Sequence, residues 1–133
     1  MFQEVRPEDI PEVWSLLEPG LLQIKKRCDA PWVPQQVRAH LLEGRASVFI
    51  CPVGFVILER CKEPMTSDPY LNVWLMWFQP GEGMKRRDEI VAFLDAMKKH
   101  AKCLWWQFGS PREEWAEVIK PFCEKTLIIW RRK

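Results

Sequence analysis

Between Leu71 and Met97 the chain reads Leu71-Asn72-Val73-Trp74-Leu75-Met76-Trp77-Phe78, then Gln79-Pro80-Gly81-Glu82-Gly83-Met84-Lys85-Arg86-Arg87, then Asp88 onward. A strand that is almost wholly apolar must have both faces covered, so residues 71–78 are predicted as a central strand rather than an edge. Beyond the glycine turn, Ile90, Phe93, Leu94, Met97 and Ala101 recur at helical spacing. That stripe predicts an amphipathic helix over 88–102 lying back on the same sheet. The unit strand, glycine turn, helix therefore fixes the middle of the fold, and the rest of the chain is placed around it.

A length of 133 residues suits one domain, residues 1–133, large enough to bury a core and too small for two. The formal charge is +2, with 29% charged and 47% hydrophobic residues. Such a balance gives no mandate for specific nucleic-acid binding or for a membrane surface. Five cysteines, Cys28, Cys51, Cys61, Cys103 and Cys123, form no Cys-x-x-Cys pair, and no signal peptide precedes them. They read as reduced thiols of a cytoplasmic protein rather than as a disulfide framework or a zinc site. No apolar run approaches the ~20 residues that cross a bilayer.

In chain order, Phe2 to Arg6 suits a first strand ended by Pro7. Asp9 is placed to cap a helix by accepting from the Glu12 N–H, with Pro11 in the first turn and Ile10, Val13, Trp14 and Leu17 as the apolar stripe. Pro19-Gly20 is expected to break or kink that helix, leaving a second piece over Leu21 to Arg27. Cys28 to Pro34 is a loop. Pro34 then opens a short helix through Val37, Leu41 and Leu42 that Gly44 stops. Ser47 to Cys51 and Gly54 to Arg60 are β-rich runs joined by Pro52-Val53, which is short enough only for an antiparallel hairpin. The 71–78 strand is expected between Arg60's strand and a short strand at 104–108, antiparallel to the first and parallel to the second. Ser110-Pro111-Arg112-Glu113 starts a further helix carrying Trp115, Val118, Ile119 and Phe122, and Thr126 to Trp130 is a last strand.

The order β, α, α, β, β, β, glycine turn, α, β, α, β is similar to that of the GNAT superfamily, the Gcn5-related N-acetyltransferases. The resemblance implies an α/β (α+β) fold, a single GNAT-like domain with a mixed central sheet of about six to seven strands and about four flanking helices. In that family a Gln/Arg-x-x-Gly-x-Gly/Ala turn after the fourth strand holds the pyrophosphate of acetyl-CoA on its backbone amides. Here Gly81-Glu82-Gly83 supplies Gly-x-Gly, Phe78 stands where Gln/Arg should be, and Pro80 removes one amide. The implied cofactor is acetyl-CoA, bound weakly by Gly81, Gly83, Met84, Lys85, Arg86 and Arg87. Its pyrophosphate would lie near the amides of residues 81–85 and its adenosine phosphate near Arg86 or Arg87.

The residues carry part of this case alone. Glycines let backbone approach a phosphate closely, and a first helical turn presents roughly half a positive charge to it. Cations there are otherwise disfavoured by about 0.3–1 kcal/mol each, so Lys85, Arg86 and Arg87 suit a docked anion. In the alternative, Asp88 is the N-cap and residues 79–87 are a solvated basic loop.

Acyl transfer to an amine needs a base for the amine proton and an acid for the departing thiolate. In the family the acid is commonly a tyrosine on the helix after the fifth strand. The only tyrosine here is Tyr70, and the corresponding helix, 112–122, has none. Glu59 shares a strand face with Phe55 and Ile57, where apolar neighbours would raise its pKa, and it is the candidate base; a strand's wet end is the other explanation. His40 and His100 fall on separate helices and read as surface or half-buried residues. Trp74, Trp77, Trp105 and Trp106 line an acceptor pocket or fill the core, Trp14 and Trp115 read as core, and Trp32, if exposed, is a contact surface. Two functions follow. One is an acetyl-CoA-dependent N-acyltransferase acting on an unidentified amine. The other is a catalytically silent GNAT-like binding or structural protein with a protein partner; compact chains with eroded motifs resemble GNAT-like proteins encoded by tailed bacteriophages, some of them virion-associated.

Overall fold

The computed structural model describes residues 1–109 and 121–123. The expected helix at 112–122 falls mostly outside them, and the expected last strand at 126–130 falls wholly outside. Among the described residues the sheet has five strands in the order β1-β2-β3-β4-β5: β1 Gln3–Val5, β2 Ser47–Cys51, β3 Gly54–Lys62, β4 Pro69–Phe78 and β5 Trp106–Phe108. Each neighbouring pair is antiparallel except β4 and β5, which are parallel. The apolar run is thus a central strand, between the Glu59 strand and the Trp106 strand, as its composition requires.

Helices cover both faces. On one face, α1 (Ile10–Cys28) and α2 (Pro34–Leu42) bury Ile10, Leu17, Leu21, Ile24, Val37 and Leu41 against Val48, Phe55, Ile57 and Leu75. On the other, α4 (Arg87–His100) packs Ile90 and Leu94 against Phe49, Val56, Leu58, Leu71, Val73, Met76 and Phe78. No described helix is long and apolar enough to cross a membrane.

The structure departs from the expected helix ends in instructive ways. Pro7 starts a 3-10 turn over Pro7–Asp9, which leaves Asp9 in the right-handed helical region. Its carboxylate lies 3.6 Å from Arg6 Nε and makes no capping bond to Glu12. Pro19-Gly20 does not divide the first helix, because α1 is buried along its length by Leu17, Leu21 and Ile24. Gly20 serves close approach instead. A Cβ there would lie 2.7 Å from Phe55 Cε1 and 2.9 Å from Trp77 Cδ2. Trp32, expected as a contact surface only if exposed, is half-buried against the α1–α2 side of the core.

Candidate functional site

The site is set by an irregularity in β4. Ile57 pairs with Leu75 but Leu58 pairs with Val73, so Trp74 is an extra residue, a β-bulge. Because side chains alternate along a strand, one extra residue reverses the alternation. Leu71 and Val73 face α4 before the bulge, Met76 and Phe78 face it afterwards, and Trp74, Leu75 and Trp77 all face α1 and α2.

The β4–β5 ladder stops at the same place. Its pairs are Leu71 with Trp106, Asn72 with Gln107 and Val73 with Phe108. From Trp74 to Trp77 no described strand lies on the β5 side of β4. Among the described residues, a strand edge about 10 Å long is thereby available for hydrogen bonding on that side. It leads towards the turn at Gln79, whose N–H donates to Val53 O at 2.8 Å on the β3 side.

The turn differs from both expected forms. Gly81 adopts φ +80°, in the left-handed region open to glycine, and a Cβ there would meet nothing within 4 Å. That conformation reverses the chain fast enough for a short helix, α3 (Glu82–Lys85), to begin at Glu82. Arg86, at φ −110° and ψ 18°, separates α3 from α4. Asp88 therefore lies inside the first turn of α4 and is not its N-cap, and residues 79–87 are not a plain loop. The Gly83 and Met84 amides belong to a first helical turn, where no intrahelical acceptor exists. Gly83 is buried and Met84 exposed.

The basic run is also divided. Arg86 Nε donates to Glu82 Oε2 at 3.0 Å, and its Nη1 is 3.8 Å from Glu89 Oε2. The Glu82 hydrogen bond raises the already high pKa of the guanidinium. Arg86 is thus occupied by carboxylates. Among the described residues Lys85 and Arg87 have no carboxylate partner, and Arg87 Nη1 lies 3.9 Å from Met84 Sδ. Lys85 stands in the last turn of α3, where a helix dipole favours a cation, so its presence there needs no bound anion to explain it.

Glu59 lies across from Asn72, and its Oε1 accepts from Asn72 Nδ2 at 2.8 Å. Alternation places both on the α1–α2 face, next to the bulge at Trp74. Asn72 is not singled out by the sequence alone, although it is the one polar side chain that interrupts the apolar run 71–78. Beyond Glu59 on the same face come Cys61 and Tyr70, paired in register, and Trp105, whose ring is stacked on Tyr70 at 5.2 Å and 6°. Burial, then the negative charge of Glu59, push the Cys61 thiol pKa up, while a hydrogen bond with Tyr70 opposes them.

The remaining candidates divide between core and surface. Trp77 is half-buried and donates to Gln23 Oε1, and Trp106 packs on the α4 side and donates to Asp95 Oδ1. Trp14 packs on the α1–α2 side beneath Arg38. His100 is exposed. His40 is half-buried 5.1 Å from the Trp74 ring, with Nδ1 buried and lacking a hydrogen-bond partner. Cys51, Cys61, Cys103 and Cys123 are free thiols, and no cluster of potential metal ligands occurs among the described residues.

No protein-family model matches the sequence, and no curated protein matches it. Solved structures do match, over almost the whole chain. A ribosomal-protein-alanine N-acetyltransferase from Brucella melitensis biovar Abortus superposes with a TM-score of 0.67 at 16% identity, covering 99% of each chain. A predicted acetyltransferase with acetyl-CoA from Clostridium acetobutylicum gives 0.67 at 13% identity, covering 100% of this chain and 94% of the other. An aminoglycoside acetyltransferase from an uncultured soil metagenomic sample gives 0.65 at 9%, covering 100% and 95%. With its mixed sheet, bulged central strand and helices on both faces, the chain has the GNAT fold.

Proposed function

We propose that the protein is an acetyl-CoA-dependent N-acyltransferase whose acceptor is a primary amine. The observation that carries this reading is the end of the β4–β5 ladder at Val73, one residue before the bulge. It leaves an edge from Trp74 to Trp77 that runs towards the Gly81 turn, with Glu59 at the other end.

These residues fit acetyl-CoA in distinct ways. The edge can pair with the amides of an extended arm as it would with another strand. Gly81 leaves open space beside its backbone, and the Gly83 and Met84 amides, with Lys85 and Arg87, suit the phosphates. Arg86 is held by Glu82 and Glu89 and contributes less. When bound, acetyl-CoA would supply the acetyl group from its thioester, the C–S bond breaking as the C–N bond to the amine forms and the CoA thiolate leaving.

Glu59 is the general base. Asn72 holds one carboxylate oxygen, which fixes the group's orientation and leaves the other oxygen to receive the proton of the attacking nitrogen, directly or through water. Water gives a proton to the departing thiolate.

Calorimetric titration with acetyl-CoA, followed by acetyl transfer to a panel of amines, tests the reading. Binding and slow transfer are expected, with transfer lost in Glu59→Gln. A folded protein that binds no acetyl-CoA at millimolar concentration overturns the reading and leaves the silent role, as a partner-binding or structural protein, in its place.

A further inference from the structure

The surface beyond Glu59 is unusual for a sheet face. Glu59, Asn72 and Gln107 form one cross-strand row, and Cys61 and Tyr70 form the next. Trp105 precedes β5, and its carbonyl accepts from Leu71 N–H at 2.9 Å, which brings its ring over Tyr70. Trp105 Nε1 donates to Gln107 Oε1 at 3.0 Å, so the polar edge of the indole is satisfied and its ring plane is held. Aromatic pairs in a core are covered on all sides. Here Glu59, Asn72, Tyr70 and Trp105 are only half-buried and Gln107 is exposed.

Among the described residues of β3, β4 and β5, the charge on this face is negative. Glu59 is one diagonal step from Tyr70, about 7 Å between backbones. The negative charges of Glu59 and Glu63 both reach Tyr70, although Glu63 Oε2 is occupied by the Met65 and Thr66 N–H groups. The cations of the same strand, Arg60 and Lys62, alternate to the opposite face, where Arg60 Nε donates to Ala101 O at 3.1 Å. A carboxylate beside flat ring faces, with no cation on this face from the described residues of β3, β4 and β5, matches an ammonium group carried on a flat body. The rings offer cation–π attraction and stacking, and the carboxylate offers the ion pair.

We propose that Glu59, Tyr70 and Trp105 form an acceptor subsite that selects small arylalkyl primary amines, with Trp105 as the specificity-determining side chain. This rests on the acyl-transfer reading of the same face, because Glu59 would both hold the ammonium and receive its proton.

The test is direct binding to the whole protein without acetyl-CoA, by calorimetry or ligand-observed NMR, using 2-phenylethylamine, n-butylamine and 3-phenylpropanol. The first is expected to bind about tenfold more tightly than either of the others, which lack the ring or the charge. Trp105→Ala and Glu59→Gln are each expected to weaken it about tenfold, and Trp105→Phe to keep it within about threefold. Circular dichroism establishes that each variant is folded; if Trp105→Ala does not fold, Glu59→Gln and the three wild-type titrations decide. Equal binding of 2-phenylethylamine and n-butylamine overturns the proposal, as does indifference to Glu59→Gln. Tighter binding of a short peptide with N-terminal phenylalanine overturns the assignment to small amines. Acetyl-CoA binding without amine discrimination sinks this subsite alone, whereas amine discrimination without acetyl-CoA binding sinks the acyl-transfer reading and leaves the subsite.

Discussion

Replacing Gly20 by Ala sets two effects of opposite sign against each other. In a helix interior Ala is favoured over Gly by ~1 kcal/mol, so helix propensity alone predicts stabilisation. The added Cβ, however, would lie 2.7 Å from Phe55 Cε1 and 2.9 and 3.1 Å from Trp77 Cδ2 and Cγ. Phe55 is 2% exposed, and its ring is stacked on Trp77 with centroids 6.0 Å apart, so neither ring can withdraw alone. Overpacking of this kind costs ~1–3 kcal/mol, which exceeds the propensity gain over most of its range. A net loss of about 1 kcal/mol lowers Tm by ~2–8 °C for a domain in this size range. Thermal unfolding followed by far-UV circular dichroism measures it, and near-UV dichroism reports the displaced indole. An unchanged or raised Tm with an unaltered near-UV spectrum would refute the claim that Gly20 is required by the approach of α1 to the upper half of β4.

Other expected outcomes concern the site. Glu59→Gln should slow acetyl transfer ~10²–10⁴-fold while leaving acetyl-CoA affinity unchanged, as read by steady-state kinetics and calorimetry. Lys85→Ala and Arg87→Ala should each weaken acetyl-CoA binding severalfold and more than Arg86→Ala, because Glu82 and Glu89 already occupy Arg86; calorimetry orders the three. Burial keeps the Cys61 pKa high and the Glu59 charge adds to it, so Glu59→Gln should lower that pKa. Removing the carboxylate favours the thiolate, so iodoacetamide should label Cys61 faster in the variant at pH 8, as read by peptide mass spectrometry.

The sequence shows the fold far better than the site, for physical reasons. An apolar strand followed by a helical stripe admits few arrangements, and Pro52-Val53 leaves a hairpin no alternative, so β2, β3, β4 and α4 were legible from spacing. The Trp74 bulge was not. In an unbroken apolar run, an extra residue changes no local pattern and shows only in the register with β3. Pro19-Gly20 carries the composition of a break, yet packing against Phe55 and Trp77 overrides it. The division of the basic run depended on where α3 starts, because that start puts Glu82 one turn from Arg86. The candidate base was found from its apolar neighbours, but its partner Asn72 required the pairing of two strands.

The central claim is that the β4 edge beyond the bulge, together with the Gly81 turn, holds acetyl-CoA. A titration of isotopically labelled protein with acetyl-CoA, followed by backbone amide chemical shifts, tests it most directly. Shift changes are expected to concentrate on residues 74–77 and 81–85, and to be small across β1 and β2. Changes confined to other parts of the molecule, or none at millimolar ligand in a folded protein, would contradict the account.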